Sequence, residues 1–184
     1  MYCGTNKTAL TSQRQISEAM MRLIRQKPYA QITVSELCRE AGISRQTFYS
    51  LFTSRENVMV FTLQARYCYA PAMPEAPDAR RAEAHRGVRQ LCRGYSEYFL
   101  NNRALLKTLV SNRIDYLLYD SLYGALDGCG CFLNRLDPRA RRYAVSFYAG
   151  GLACAARRYV EEGCVASADE LTELLYALFT GAAF

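Results

Sequence analysis

The chain has 184 residues, 51% of them hydrophobic, with a formal net charge of +6, a length that suits a small domain joined to a larger one around a real core. No apolar run reaches the roughly eighteen residues a membrane-crossing helix needs, and the opening stretch MYCGTNKTALTSQRQ lacks the apolar centre of a secretion signal, so the expected location is the cytoplasm. Eight basic residues against three acidic ones lie between Met1 and Arg55; nearly the whole positive excess is therefore in the first third, as binding to a polyanion requires.

In chain order, a first helix is expected from about Thr8 to Gln26, with Ile16, Ala19, Met20 and Leu23 recurring at helical spacing as its apolar stripe. Lys7 and Arg14 stand near its start. After the Lys27-Pro28-Tyr29 turn, Thr33 and Glu36 have the spacing of a capping box, so a second helix should begin at Val34. Leu37 and Cys38 face inward there, while Ser35, Arg39 and Glu40 face water. Gly42 falls where that helix must stop and accepts the positive φ such a stop often needs. Ile43 plugs the gap between two helices. Ser44 caps a third one, whose first turn carries Arg45 and Gln46. Phe48 and Phe52 give that helix its buried face, and Arg45, Gln46, Thr47, Tyr49 and Ser50 are side chains able to hydrogen-bond to DNA. A short helix, a tight turn and a second short helix are the plan by which a helix-turn-helix offers its second helix to a major groove. Thr53 or Ser54 then caps the next helix.

On these residues the segment from about Thr8 to Val60 resembles the DNA-binding domain of TetR/AcrR-type transcriptional regulators: an amphipathic first helix, a turn, ITVSELCREAGISRQTFYSLF, and SRENV opening a long connecting helix. The resemblance implies that Thr33 and Ser35 sit at the groove edge, that Arg45 and Gln46 read bases, and that Thr47, Tyr49 and Arg55 hold phosphates. Leu51 departs from the pattern, because many relatives have a phosphate-binding histidine there; one backbone contact is then missing.

Beyond the motif, a fourth helix should run from Arg55 to about Ala70 and end before Pro71, Pro74 and Pro77. Further helices are expected at about Ala79–Leu100, Arg103–Val110 and Ile114–Leu126. Pro138 is well placed to open a long helix through Glu162, which Gly163 ends, and Ser167 or Asp169 starts the last one. No segment alternates as a strand and no repeat is visible. The expected architecture is all-α, about nine helices, divided into a helix-turn-helix domain over residues 1–55 and a sensing and dimerising domain over residues 56–184.

Within the second domain, Gly150, Gly151 and Cys154 form a small-residue stretch that lets another backbone come close, flanked by Arg157 and Arg158. The family resemblance implies that this helix and the last, through Arg158, Leu171, Leu174 and Leu178, build the interface of a homodimer; FYAGGLACAARRYVEEG is, more loosely, similar to regulators of dihydroxyacetone kinase operons. Two heads would then meet two half-sites of a near-palindromic operator. Tyrosine gives apolar surface with a polar tip, suited to lining a small cavity; Tyr95, Tyr98, Phe99, Tyr116, Tyr119 and Phe147 are the candidates for an effector pocket. The family implies a repressor whose small-molecule effector spreads the two heads, with reciprocal coupling between effector and DNA. A protein partner, or oxidation of Cys129 and Cys131, are the alternative controls. The other cysteines read as small apolar fillers, and His85, the only histidine, lies in a polar stretch. No nucleophile elbow, phosphate loop or dinucleotide fingerprint is present, so no catalytic residue, metal site or cofactor is expected.

Overall fold

Local signals set most of the helix boundaries. The computed structural model describes residues 6–66, 80–129, 133 and 135–182, with backbone alone for residues 80–86. Among these are nine α-helices and no strand: α1 Lys7–Leu23, α2 Val34–Ala41, α3 Arg45–Leu51, α4 Arg55–Arg66, α5 Arg80–Asn101, α6 Arg103–Ser111, α7 Leu117–Gly128, α8 Pro138–Glu161 and α9 Ala168–Thr180. A short 3-10 turn, Tyr29–Gln31, leads from α1 towards α2. The Asn6 side chain accepts from the N–H groups of Thr8 and Ala9, which starts α1 one residue earlier than expected. Asp137 does the same for α8 with Pro138 as its first residue, and Ser167 with Glu170 closes a full capping box on α9. Gly163, at φ 81°, ends α8 in the left-handed region that glycine enters without a Cβ clash.

Two boundaries fall elsewhere than the sequence suggests. The last turn of α1 tightens, with Gln26 N–H on the Leu23 carbonyl at 2.9 Å, so the regular helix stops at Leu23. α7 begins at Leu117 rather than Ile114, because residues 112–116 turn a corner. Arg113 there has φ 55°, a left-handed residue that is not glycine and so leaves no mark in composition. The expected helix end at Ala70, the prolines 71, 74 and 77, the His85 side chain, Cys3, Cys68 and Cys131 lie outside the described residues.

One continuous apolar core runs through the molecule. At the N-terminal end Ile16, Met20, Ile32, Leu37, Phe48, Phe52 and Met59 are fully buried. Further along the chain α5 lies against α9, with the Ser96 and Thr172 hydroxyls hydrogen-bonded between them, and α7 lies against α8. α4 packs on both α1 and α7, its Thr62 hydroxyl 2.8 Å from that of Ser17.

Candidate nucleic-acid interface

The turn between α2 and α3 is built from caps. Thr33 Oγ1 accepts from the Glu36 N–H while the Glu36 carboxylate accepts from the Thr33 N–H, a closed capping box. Gly42, at φ 68°, sits in the left-handed region and lets the chain reverse. Ser44 Oγ accepts from the Thr47 N–H at 3.0 Å and starts α3. Phe48, Leu51 and Phe52 point into the core, and the Phe52 ring meets Phe61 of α4 edge-on at 5.6 Å. With that face buried, the other must be offered to solvent: Arg45, Gln46, Tyr49 and Ser50 are all exposed. Tyr49 is 52% exposed, propped by an edge contact with Phe48 at 5.3 Å. Arg45 Nη1 donates to Ser35 Oγ at 3.3 Å, so the N-terminal turns of α2 and α3 share one polar edge. Ser50 Oγ donates to the Thr47 carbonyl.

Electrostatics divide the basic residues of this region in two. Arg22 is paired with Glu40 and Lys27 with Glu36; these pairs tie α1 and the loop after it to α2. The Lys27 ammonium beside Glu36, with the Thr33 hydrogen bonds, holds that carboxyl down to about 2. Lys7, Arg14, Arg25, Arg39 and Arg45 are exposed and carry no ion pair among the described residues, which leaves their charge available to phosphates.

Arg55 differs from the sequence expectation. Its Nη1 donates to the carbonyls of Tyr29 (3.1 Å), Ala30 (3.3 Å) and Ile32 (2.6 Å), and its guanidinium lies 4.7 Å over the Tyr29 ring. The side chain reaches back to hold the turn before α2. Sequence spacing could not reveal this, because the carbonyls lie more than twenty residues upstream and meet Arg55 only when α4 folds back under them. Leu51 is 4% exposed, an apolar core residue where the resembled family carries a polar contact.

Residues 16–60 match the family model described as bacterial regulatory proteins, tetR family. The chain carries a TetR-type DNA-binding domain. The match includes the capping box, Gly42, α3 and the first half of α4. No curated protein matches the chain. Among solved structures, that of Lin0861 from Listeria innocua superposes at TM-score 0.70 with 13% identity, covering 99% of this chain and 96% of that one. The fatty acid degradation regulator FadR from Bacillus halodurans superposes at TM-score 0.52 with 19% identity, covering 96% of each. The dihydroxyacetone kinase operon activator DhaS matches at TM-score 0.47 with 17% identity over 93% of this chain and 95% of its own, too loosely to bear on the C-terminal resemblance. At such identities the likeness is one of fold.

Outside the matched segment the candidate residues separate by exposure. Tyr95, Tyr98 and Phe99 are buried on α5, and burial pushes the Tyr98 hydroxyl up to about 12. The Phe99 ring stacks on Tyr159 of α8. Tyr116, Tyr119 and Phe147 face outward instead, at 56%, 36% and 75% exposure; helical periodicity marks a face but not what stands opposite it. On α8, Gly151, Cys154 and Arg158 are exposed and Gly150 is half-buried, and on α9 Leu174 and Leu178 are exposed. Leu171 is buried inside the protomer. Tyr143, at 70% exposure, extends the same α8 face one turn before Phe147. Cys129 is half-buried; Cys131, the other member of that pair, is outside the described residues. Cys92 is buried, its thiol pushed up to about 12 by desolvation, the behaviour of an apolar filler. No helix among the described residues is long and apolar enough to cross a membrane.

Proposed function

We propose that this TetR-type regulator acts as a homodimeric repressor of a near-palindromic operator, released by a small molecule. The observation that carries the DNA half is the solvent-facing set Arg45, Gln46, Tyr49 and Ser50 on an α3 whose other face is locked into the core. Thr33, Ser35, Ser44 and Thr47 border it, and four further exposed basic side chains without ion pairs among the described residues, Lys7, Arg14, Arg25 and Arg39, lie in the same N-terminal part of the chain. Arg45 and Gln46 occupy the first turn of α3, the part of a recognition helix that reaches base edges. Arg55 supports this surface from behind.

The dimer half rests on one outward face. Tyr143, Phe147, Gly151, Cys154 and Arg158 follow one another along α8, and Leu174 and Leu178 stand exposed on α9. The Tyr148 and Phe179 rings, stacked at 4.6 Å, link the two helices at one point. Exposed apolar side chains grouped in this way fit an isologous contact with a second copy. The buried phenols of Tyr95 and Tyr98 on α5 would supply the aromatic wall for an effector, while Tyr116, Tyr119 and Phe147 face outward. The division into a DNA-binding part over residues 1–55 and a sensing, dimerising part over residues 56–184 fits this reading, with α4 shared between the two.

The test is a gel-shift titration of the wild-type chain against duplex from the region upstream of its own coding sequence. A saturable, competitor-resistant shift is expected, lost in Arg45→Ala and weakened in Tyr49→Phe, while thermal unfolding of both variants matches wild type. Binding that follows only ionic strength, equal for any duplex and unchanged in Arg45→Ala, would refute the assignment.

A further inference from the structure

The corner between α6 and α7 carries polar side chains whose partners lie far away in the chain. Asn112 caps the C-terminus of α6, Arg113 turns the chain at φ 55°, and Asp115 follows. The Asn112 carboxamide works in both directions. Its Nδ2 donates to the Thr108 carbonyl at 2.9 Å, which fixes the rotamer. Its Oδ1 accepts from the Tyr29 N–H at 2.7 Å, a contact across 83 positions of chain. Tyr29 is 3% exposed and opens the turn that delivers the chain to Thr33 and α2. The carbonyls of that turn are held by Arg55. Both polar sides of the turn are thus gripped, one from α4 and one from the far end of α6. The corner is itself braced from behind: Asp115, 9% exposed, accepts from Arg157 Nε of α8 at 2.6 Å.

We propose that Asn112 is a positioning residue for DNA recognition: it holds the Tyr29 turn, and with it α2 and α3, in the stance that fits the groove, and the Asp115–Arg157 pair extends that hold to α8. None of these three side chains belongs to the exposed α3 surface, so they act through the turn rather than on DNA. A buried N–H left without its acceptor costs more than the bond gained, so the turn has one favoured seating while Asn112 is present and several when it is gone. A shift in α8 thereby has a covalent and hydrogen-bonded route to the α2 N-cap. The inference rests on the DNA-binding reading, and its test separates the two.

The full-length wild-type chain is used to select a duplex from a random pool; failure to enrich any sequence defeats the DNA-binding reading itself. With the enriched duplex as probe, Asn112→Ala is expected to bind about tenfold more weakly. Its affinity for a scrambled duplex and its far-ultraviolet circular dichroism stay those of wild type. Asn112→Asp, which keeps the acceptor oxygen for Tyr29 but loses the donor to the Thr108 carbonyl, recovers part of the loss. In hydrogen-exchange NMR the Tyr29 amide exchanges faster in Asn112→Ala and, to a smaller degree, in Arg157→Gln, a readout that needs no DNA. The proposal is overturned if Asn112→Ala binds the enriched duplex as wild type does, if aspartate fails as badly as alanine, or if the Tyr29 amide is indifferent to both substitutions.

Discussion

Replacing Arg55 by alanine separates two roles the residue could have. In the structure its Nη1 serves three carbonyls of the Tyr29 turn, at 3.1, 3.3 and 2.6 Å, and the guanidinium covers the Tyr29 ring. One nitrogen shared among three acceptors is worth about one charge-assisted hydrogen bond, about 1.5–3 kcal/mol, and the ring contact adds about 0.5–1 kcal/mol. The side chain is 30% exposed, so water recovers part of what is lost, leaving about 2–3 kcal/mol. For a chain of this size that lowers the thermal midpoint by roughly 4–12 °C. Lysine would rescue only part, since an ammonium carries the charge but lacks the planar face that covers the Tyr29 ring. The assay is urea unfolding of wild type, Arg55→Ala and Arg55→Lys, beside the salt dependence of DNA binding by each. The structural role predicts a lower midpoint for both variants. An unchanged midpoint with a salt slope reduced by about one phosphate would refute the reasoning and restore Arg55 as a backbone contact.

Two further outcomes follow from the geometry. Glu36 titrates in the folded chain at about 2, below its ordinary 4.5, so its contribution is full above pH 4.5 and is lost as the pH falls towards 2. The α9 capping-box carboxylate, Glu170, is shifted in the same direction. Thermal midpoints measured across that acid window should therefore fall less steeply for Glu36→Gln than for wild type, and parallel curves would contradict the assignment. On the α8 face, Phe147→Asp places a charge in the middle of the proposed contact between copies. Light scattering should report a dimer for wild type and a monomer for the variant, and equal masses would remove this face as the interface.

What was legible in the sequence was legible because it is local. Thr33 and Glu36, Gly42, Ser44 and the Phe48–Phe52 pair act within a few residues of themselves, and each does in the structure what its spacing announces. The same holds for Pro138 as the first residue of α8 and for Ser167, one of the two starts expected for α9. What escaped is non-local. Arg55 has the type and place of a phosphate ligand, and only the fold brings three carbonyls to it. Asn112 and Asp115 look like ordinary polar residues inside an apolar pattern, because their partners, Tyr29 and Arg157, are 83 and 42 positions away. Tyrosine misled for a different reason. Its ring suits a core and its hydroxyl suits water, so Tyr95 at 0% and Tyr116 at 56% exposure are indistinguishable by residue type.

The double attachment of α4, to α1 on one side and α7 on the other, bears on how such a protein could be taken apart or recombined. A cut after residue 60 would keep Val58 and Met59 and discard Leu63, leaving a truncated helix with half its apolar lining bare. No clean seam runs between the reading part and what lies beyond it. Any graft that transplanted specificity by exchanging front ends would have to carry α4 whole, together with the side chains of α7 that mould it, or else confine itself to the solvent-facing residues of α3.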